Sequence, residues 1–306
     1  MYIREPFFTM RCEEKGYALP MVIVIALIIS VITMSIAFSV REKTAVAQEL
    51  MDRSSALLKS YSAYNGALYN ILTSTFTPTG IKFQQEDGSE LVWNLYGEPI
   101  EFAEGIMVKF RDGAGMLSPL FHSEYLRKFM EYTCEDSKKT NLFVDTLADW
   151  QDIDDFKRLN GAESYDYKMT GYSYAPRNFY IQLSHEVLLL KGFDAEIFEE
   201  IKDDIVYWGG GNINYLTMSK KLLGALLKND PLVDRILRIR KQGKLTGRIF
   251  RELTGIPETE ENIYAPSGWI KVEITAKVGK AVDRIEAILV KMQSRKRPYM
   301  VTEWKR

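Results

Sequence analysis

YALPMVIVIALIISVITMSIAFSV, residues 17–40, decides how the rest of this 306-residue chain is organised. Twenty-four residues pass there without a charge. At about 1.5 Å per residue, a helix of that length covers roughly 36 Å, enough to cross the hydrocarbon core of a bilayer. A polar leader, residues 1–16, comes before it and ends in Arg11-Cys12-Glu13-Glu14-Lys15-Gly16. Arg41, Glu42 and Lys43 follow.

Three kinds of segment compete for this pattern. A cleavable secretory signal has a shorter apolar core and a small-x-small site at its far end; the exit here, Phe38-Ser39-Val40-Arg41, fits that poorly. An ordinary signal anchor fits the length. A prepilin-type signal is cut before the apolar run, after Gly16, and keeps the whole helix with Tyr17 as its first residue. Two features favour the last. Gly16 sits at the border of leader and apolar run, where a small residue suits a peptidase working at the membrane face. The helical pattern also continues past the membrane, through Val46, Leu50, Leu57, Leu58, Tyr61, Tyr64, Leu68, Ile71 and Leu72. No Pro interrupts residues 41–72, and the turn-rich residues 73–80 end the run. The spacing predicts one helix of about 55 residues, roughly 80 Å long. A plain anchor has no need of that continuity; a filament subunit does. Pro20 is tolerated because first-turn N–H groups lack helical partners. Arg4, Arg11 and Lys15 are matched by Glu5, Glu13 and Glu14, so orientation rests on the leader and not on charge.

Beyond the helix the composition is globular, 46% hydrophobic and 26% charged. Forty Lys+Arg against 41 Asp+Glu predict no bulk attraction to nucleic acid or anionic lipid. Two cysteines, Cys12 and Cys134, make no disulfide framework, and Cys134 reads as a small core residue. His122 and His185 are too few for a histidine-rich metal site.

Short strands are expected at 81–84 and 91–96, joined as a hairpin, and at 105–110. Helices are expected at 121–135, 141–150, 182–190, 194–205, 218–228, 231–242 and 244–254. Strands return at 269–278, 281–291 and 298–305, the first with clean alternation. Strands from both ends enclosing a helical block imply one antiparallel sheet with a large all-helical insertion, an α+β fold. The expected boundaries are a leader at 1–16, a long helix at 17–75 with 17–40 in the membrane, a sheet domain at 76–116 and 262–306, and a helical insertion at 117–261.

Asp149, Asp152, Asp154, Asp155 and Glu163 form the one carboxylate group with metal-site character. Counting from Asp152 gives Asp154 at 3, Asn160 at 9 and Glu163 at 12, but Phe156 and Lys157 break the EF-hand scheme, which wants Gly at 6. Hard oxygen donors suit Ca²⁺ better than Zn²⁺. The competing reading is a solvated acidic loop in which Asp152 or Asp154 caps a turn. Gly209-Gly210-Gly211 lacks the Gly-Lys-Ser/Thr of a phosphate loop. The helices at 182–205 and 218–242 are spaced like helix-hairpin-helix units, but the hairpin at 190–194 has no basic glycine-rich tip, so no nucleic-acid partner is expected. No nucleophile–base–acid set is visible, and the chain reads as a non-enzyme. A membrane-anchored extracytoplasmic enzyme with a metal in the acidic loop is the rival class.

The blocks Asp149-Trp150, Asp152, Asp154, then Asn160-Gly161-Ala162-Glu163 and Tyr167, resemble a pattern of the K-type minor pseudopilins of type II secretion (general secretion pathway protein K). Asn178, residues 186–192 and Asn212-Ile213-Asn214 match further blocks in order. Ser118 departs, standing where that family usually has Asn. Lys15-Gly16-Tyr17 resembles the family's prepilin junction. Met21, the fifth residue after Gly16, stands where most pilins carry Glu, and the K-type subunit is the member that lacks it. The resemblance implies a pilin-like head and a place at the pseudopilus tip beside I- and J-type partners. It also implies cleavage by prepilin peptidase and a single pass through the bacterial inner membrane with the head in the periplasm. Calcium is implied too, with Asp149, Asp152, Asp154 and Glu163 as its ligands. A minor pilin of a type IV pilus shares the anchor but not the Asp149-to-Glu163 block.

Overall fold

The computed structural model describes residues 17–84, 88–134 and 136–306. Gly16 and the leader lie outside the described residues, as do the tip of the first hairpin and Glu135.

One helix, α1 (Ala18–Thr73), runs for 56 residues as the continuous pattern predicts. It passes through two compact units, which divide after Ser54. Within the first, every residue of 17–51 is exposed. The helix is long and apolar enough to cross a membrane.

Residues Ser55–Arg306 form the second unit. Three short antiparallel strands, β1 (Thr75–Thr77), β2 (Gly80–Gln84) and β3 (Glu90–Asn94), make a small sheet. A larger antiparallel sheet follows the order β4 (Ile100–Ala103), β5 (Ile106–Asp112), β6 (Trp269–Val278), β7 (Ala281–Lys291), β8 (Tyr299–Lys305). The single sheet expected from sequence is therefore two: the first hairpin, β2 and β3, pairs with the short strand β1 that follows α1 and not with the C-terminal strands. The large sheet does take strands from both ends of the chain, and β6 and β7 span 269–278 and 281–291 as read.

Between β5 and β6 come α2 (Ser123–Cys134), α3 (Ser137–Gln151), α4 (Ser164–Met169), α5 (Ala195–Ile201), α6 (Lys220–Leu227), α7 (Asp230–Lys241) and α8 (Gly247–Thr254). Their starts are capped by side chains that accept from first-turn N–H groups: Asp136 from Lys138 and Lys139, Ser219 from Leu222, Asn229 from Leu232 and Thr246 from Ile249. The stretch read as a helix at 182–190 is a 3₁₀ turn, Ser184–Leu189. Helix α4 and strands β1 and β4 were not expected; each is six residues or fewer, too short for periodicity to register.

Two apolar cores result. One packs Ala63, Tyr64, Ala67 and Ile71 of α1 against alternate residues of the sheet, including Val108, Phe110, Val272, Ile274, Ala287 and Leu289. The other lies in the segment between β5 and β6, helices and loops alike, around Phe129, Leu147, Tyr167, Leu222, Ile236 and Phe250. Cys134 packs at its border as a free thiol.

Asp112 joins them. The inward parity of Ile106, Val108 and Phe110 carries on to Asp112, which is 1% exposed. Its carboxylate accepts from Ser267 Oγ (2.6 Å) and N (2.8 Å), Thr217 Oγ1 (2.9 Å), Asn214 Nδ2 (3.0 Å) and Ala114 N (3.3 Å). Burial pushes its pKa above the ordinary carboxylate value, and the donors pull against that rise. Asp112→Ala strands these donors in a dry interior and is expected to cost about 3 kcal/mol or more. Asp112→Asn keeps an acceptor and should cost less. Thermal melting of both variants in detergent checks the order.

Candidate functional site

The acidic loop begins where α3 ends. Asp149 lies on the buried side of the last turn, fully enclosed, and Asp152 closes the helix with its N–H on the Ala148 carbonyl (3.0 Å). The loop then folds back so that the Arg158 guanidinium bridges both carboxylates, at 2.7 Å from Asp149 Oδ1 and in contact with Asp152 Oδ2. The Arg158 N–H also points at Asp149, 3.2 Å from Oδ2. Gly161 is needed beside them: a Cβ there would fall 1.9 Å from Asp149 Oδ2.

The other loop anchors are polar. Asn160 donates through N (3.2 Å) and Nδ2 (2.8 Å) to Asp145 Oδ2. Phe156 N donates to Asp154 Oδ1 (2.9 Å), the turn-capping role weighed for that residue. Lys157 pairs with Asp166 of α4 at 2.7 Å, which holds the Asp166 carboxyl below its usual range.

Glu163 is different. It is 3% exposed, yet neither carboxylate oxygen has a hydrogen-bond partner. Burial first, then the fields of Asp149, Asp152, Asp155 and Asp154, push its pKa up to about 7. Asp152 Oδ1 and Asn178 Oδ1 are likewise buried without a donor, and Asn178 sits in the left-handed region at φ 52°. Asn178 Nδ2 reaches 3.5 Å from Asp155 Oδ1, so the two loops meet here.

Of the four carboxylates expected as ligands, the structure brings Asp149 and Asp152 together through Arg158 and adds Glu163 to their field. Asp154 lies exposed at the turn. Among the described residues, no three His, Cys, Asp or Glu side chains are placed as a ready metal site. What fits a cation is the chemistry: hard oxygen donors, several of them buried and unpartnered, in a loop dominated by carboxylates. Arg158 was not singled out in the sequence. Its signal was available, as one of two adjacent cations, Lys157 and Arg158, that follow Asp149, Asp152, Asp154 and Asp155.

The remaining motif residues form a knot under the loop. Trp150 Nε1 donates to Glu186 Oε1 (3.0 Å), which also meets Arg177 Nε (2.7 Å). The buried Tyr167 hydroxyl accepts from Lys191 N (2.8 Å). Asn214 Oδ1 accepts from Leu216 N in its own turn (3.1 Å) while its Nδ2 reaches Asp112, and Asn212 Nδ2 donates to the distant Glu260 carbonyl. His122 is buried between Ser118 N and Gly211 O, and burial lowers its pKa, whereas His185 is exposed.

Residues 120–207 match the family model described as type II secretion system (T2SS), protein K. A chain in the crystal structure of the GspK-GspI-GspJ complex from the enterotoxigenic Escherichia coli type 2 secretion system shares the fold. The TM-score is 0.56 and the identity 17%, over 86% of this chain and 98% of that one. No curated protein matches the sequence. The resemblance to the K-type minor pseudopilin thus holds in the family model and in the fold.

Glu163 holds its proton more tightly folded than unfolded. Its contribution to stability is therefore full below its ordinary pKa of 4.5 and is lost as pH rises through about 7. With chelator present, the melting temperature should fall more between pH 5 and pH 8 for the wild type than for Glu163→Gln. Equal pH profiles would show that the carboxyl is not strained.

Proposed function

We propose that this protein is the K-type minor pseudopilin of a type II secretion system, a structural tip subunit that assists export across the outer membrane. The observation that carries the reading is the protein K match over 120–207, inside a head that follows a long apolar helix. In this reading residues 17–40 cross the bacterial inner membrane once and the head lies in the periplasm. Prepilin peptidase removes 1–16 after Gly16 and leaves Tyr17 as the mature N-terminus. Segments 76–116 and 262–306 make the pilin-like part, and 117–261 is the inserted domain.

The partners are I- and J-type minor pseudopilins, as in the complex that contains the similar chain. Met21 supports a place at the tip. With no carboxylate at the fifth mature position, the subunit offers nothing to the N-terminal amine of a subunit above it. Inside a filament that amine would stay unpaired in an apolar setting, at a free-energy cost. At the top nothing sits above.

Calcium would be held by Asp149, Asp152, Asp154 and Glu163. The ion would supply positive charge to carboxylates that otherwise repel one another and to the unpartnered oxygens of Glu163. It would also relieve Arg158 of being the sole cation on Asp149 and Asp152.

Two measurements test this. Detergent pull-down of the tagged chain should recover a small complex with I- and J-type subunits, whereas recovery as a repeating subunit along filaments would contradict the tip position. Millimolar calcium should raise the melting temperature relative to chelator, by about 2.7 kcal/mol of stability when calcium stands a hundredfold above its dissociation constant. Asp152→Ala or Glu163→Ala should remove most of that difference.

A further inference from the structure

A cleft of about 410 Å³ opens between the insertion and the last strand of the large sheet, and none of the carboxylates assigned to calcium lines it. Its walls come from three loops of the insertion, which carry Phe121, then Phe179 and Tyr180, then Tyr207 and Trp208. Thr302 and Glu303 of β8 close the far side. The volume falls within the range of small-molecule sites, about 300–1,000 Å³.

The aromatic walls face water and are fixed from behind. Phe121, Phe179 and Tyr180 are 53%, 51% and 50% exposed. Ile181, next to Tyr180, is buried in the core of the insertion, and its N–H donates to Gln151 Oε1 (3.4 Å). His122 is held between Ser118 N and Gly211 O, which pins the turn that carries Phe121. Trp208 stacks on Trp269 of β6, with ring centroids 5.6 Å apart and planes 21° from parallel. Walls fixed before binding lose little further entropy when the cleft is filled. The Tyr207 hydroxyl is buried there without a hydrogen-bond partner among the described residues, an unfavourable state that a polar ligand group can relieve.

Strand β8 is shaped to the cleft. Its register on β7 steps from Glu303 opposite Ile288 to Val301 opposite Leu289, so Thr302 is an extra residue. The bulge lets two successive residues, Thr302 and Glu303, line the same cleft, which strict alternation along a strand forbids. It also interrupts the free edge of β8 where an extended peptide would have to pair, so strand addition is disfavoured at this place.

The lining chemistry selects the ligand. No Lys, Arg or His lines the cleft, and its one carboxylate, Glu303, is already met by Lys305 at 2.5 Å. A phosphate or a carboxylate therefore finds no free cation. What the lining offers is aromatic faces together with the neutral amide of Gln182 and hydroxyl of Thr302, both exposed and each able to donate and accept. A pyranose ring has the matching halves, an apolar face of C–H groups and a rim of hydroxyls.

We propose that this cleft binds a neutral glycan, with a sugar ring stacked on the Phe179–Tyr180 wall and its hydroxyls on Gln182 and Thr302. The site adds a ligand to the pseudopilin reading and does not depend on it.

The test uses the full chain held in a lipid nanodisc, with chitotriose and maltotriose as probes in ligand-observed NMR titrations. Wild type should bind at least one of them saturably, with an affinity that salt leaves unchanged because no ion pair forms. Phe179→Ala with Gln182→Ala should weaken that binding ~10-fold or more, the equivalent of about 1.4 kcal/mol, at an unchanged melting temperature because both side chains already face water. Failure of the folded wild type to bind either glycan would overturn the proposal. Equal affinity of wild type and variant would place the sugar elsewhere and overturn the cleft. Affinity that falls as salt rises would overturn the neutral ligand. Binding of a capped Ala-Tyr-Ala peptide where both glycans fail would make the cleft a peptide site and overturn the glycan.

Discussion

A buried carboxylate with no cation beside it costs several kcal/mol unless its oxygens are saturated with donors. Asp112 meets that condition with five hydrogen bonds, from Ala114 beside it and from two distant parts of the chain, Asn214 and Thr217 in the insertion and Ser267 where the chain returns. Asp112 pairs with Ile270 across β5 and β6, so the chain leaves the sheet and re-enters it on neighbouring strands. That is why a large helical block can be inserted without disturbing the ladder. The register from Ile106 opposite Ala276 to Asp112 opposite Ile270 runs unbroken.

The two sides of the sheet follow from this arrangement. One face is apolar and takes α1, with Trp304 edge-on to Tyr64 and the Lys291 ammonium donating to the Ile71 carbonyl at the helix end. The opposite face is ionic. Lys271, 9% exposed, pairs with Glu273 (2.9 Å) and Glu286 (3.4 Å), and Arg111 reaches Asp204 of the insertion (3.2 Å). The insertion meets the sheet domain through the Arg240 guanidinium as well, 4.1 Å from the centre of the Tyr96 ring. Because each core is complete on its own side, these polar contacts need only orient the two, and directional hydrogen bonds and ion pairs do that better than apolar packing.

How much of this could be read from residues depended on period and length. The strict alternation of residues 269–278 and the unbroken apolar run of α1 gave those elements nearly to the residue. Strand β4 escaped because its four residues, Ile-Glu-Phe-Ala, offer too few periods. The 3₁₀ turn at Ser184–Leu189 was taken for a helix because its apolar spacing is shared by both. Asp112 falls outside the strand expected at 105–110, although the parity that starts at Ile106 already turns it inward. For the acidic loop, sequence collected the right carboxylates. It did not collect Arg158, because which cation folds back onto Asp149 is a tertiary fact that spacing along the chain does not encode.

Asp112 and Glu163 show how one fold treats the same chemical problem in two ways. Both are almost wholly buried carboxylates, and burial raises the pKa of each. Around Asp112 the chain supplies donors from every side, so its charge is met within the protein. Around Glu163 it supplies none and adds four more carboxylates, while the one nearby guanidinium is taken by Asp149 and Asp152. A carboxyl left so exposed to like charge must either hold its proton near neutral pH or be met by a cation from outside. The first residue is therefore part of how the fold closes on itself, whereas the second is set in a field that only a proton or an added cation can balance.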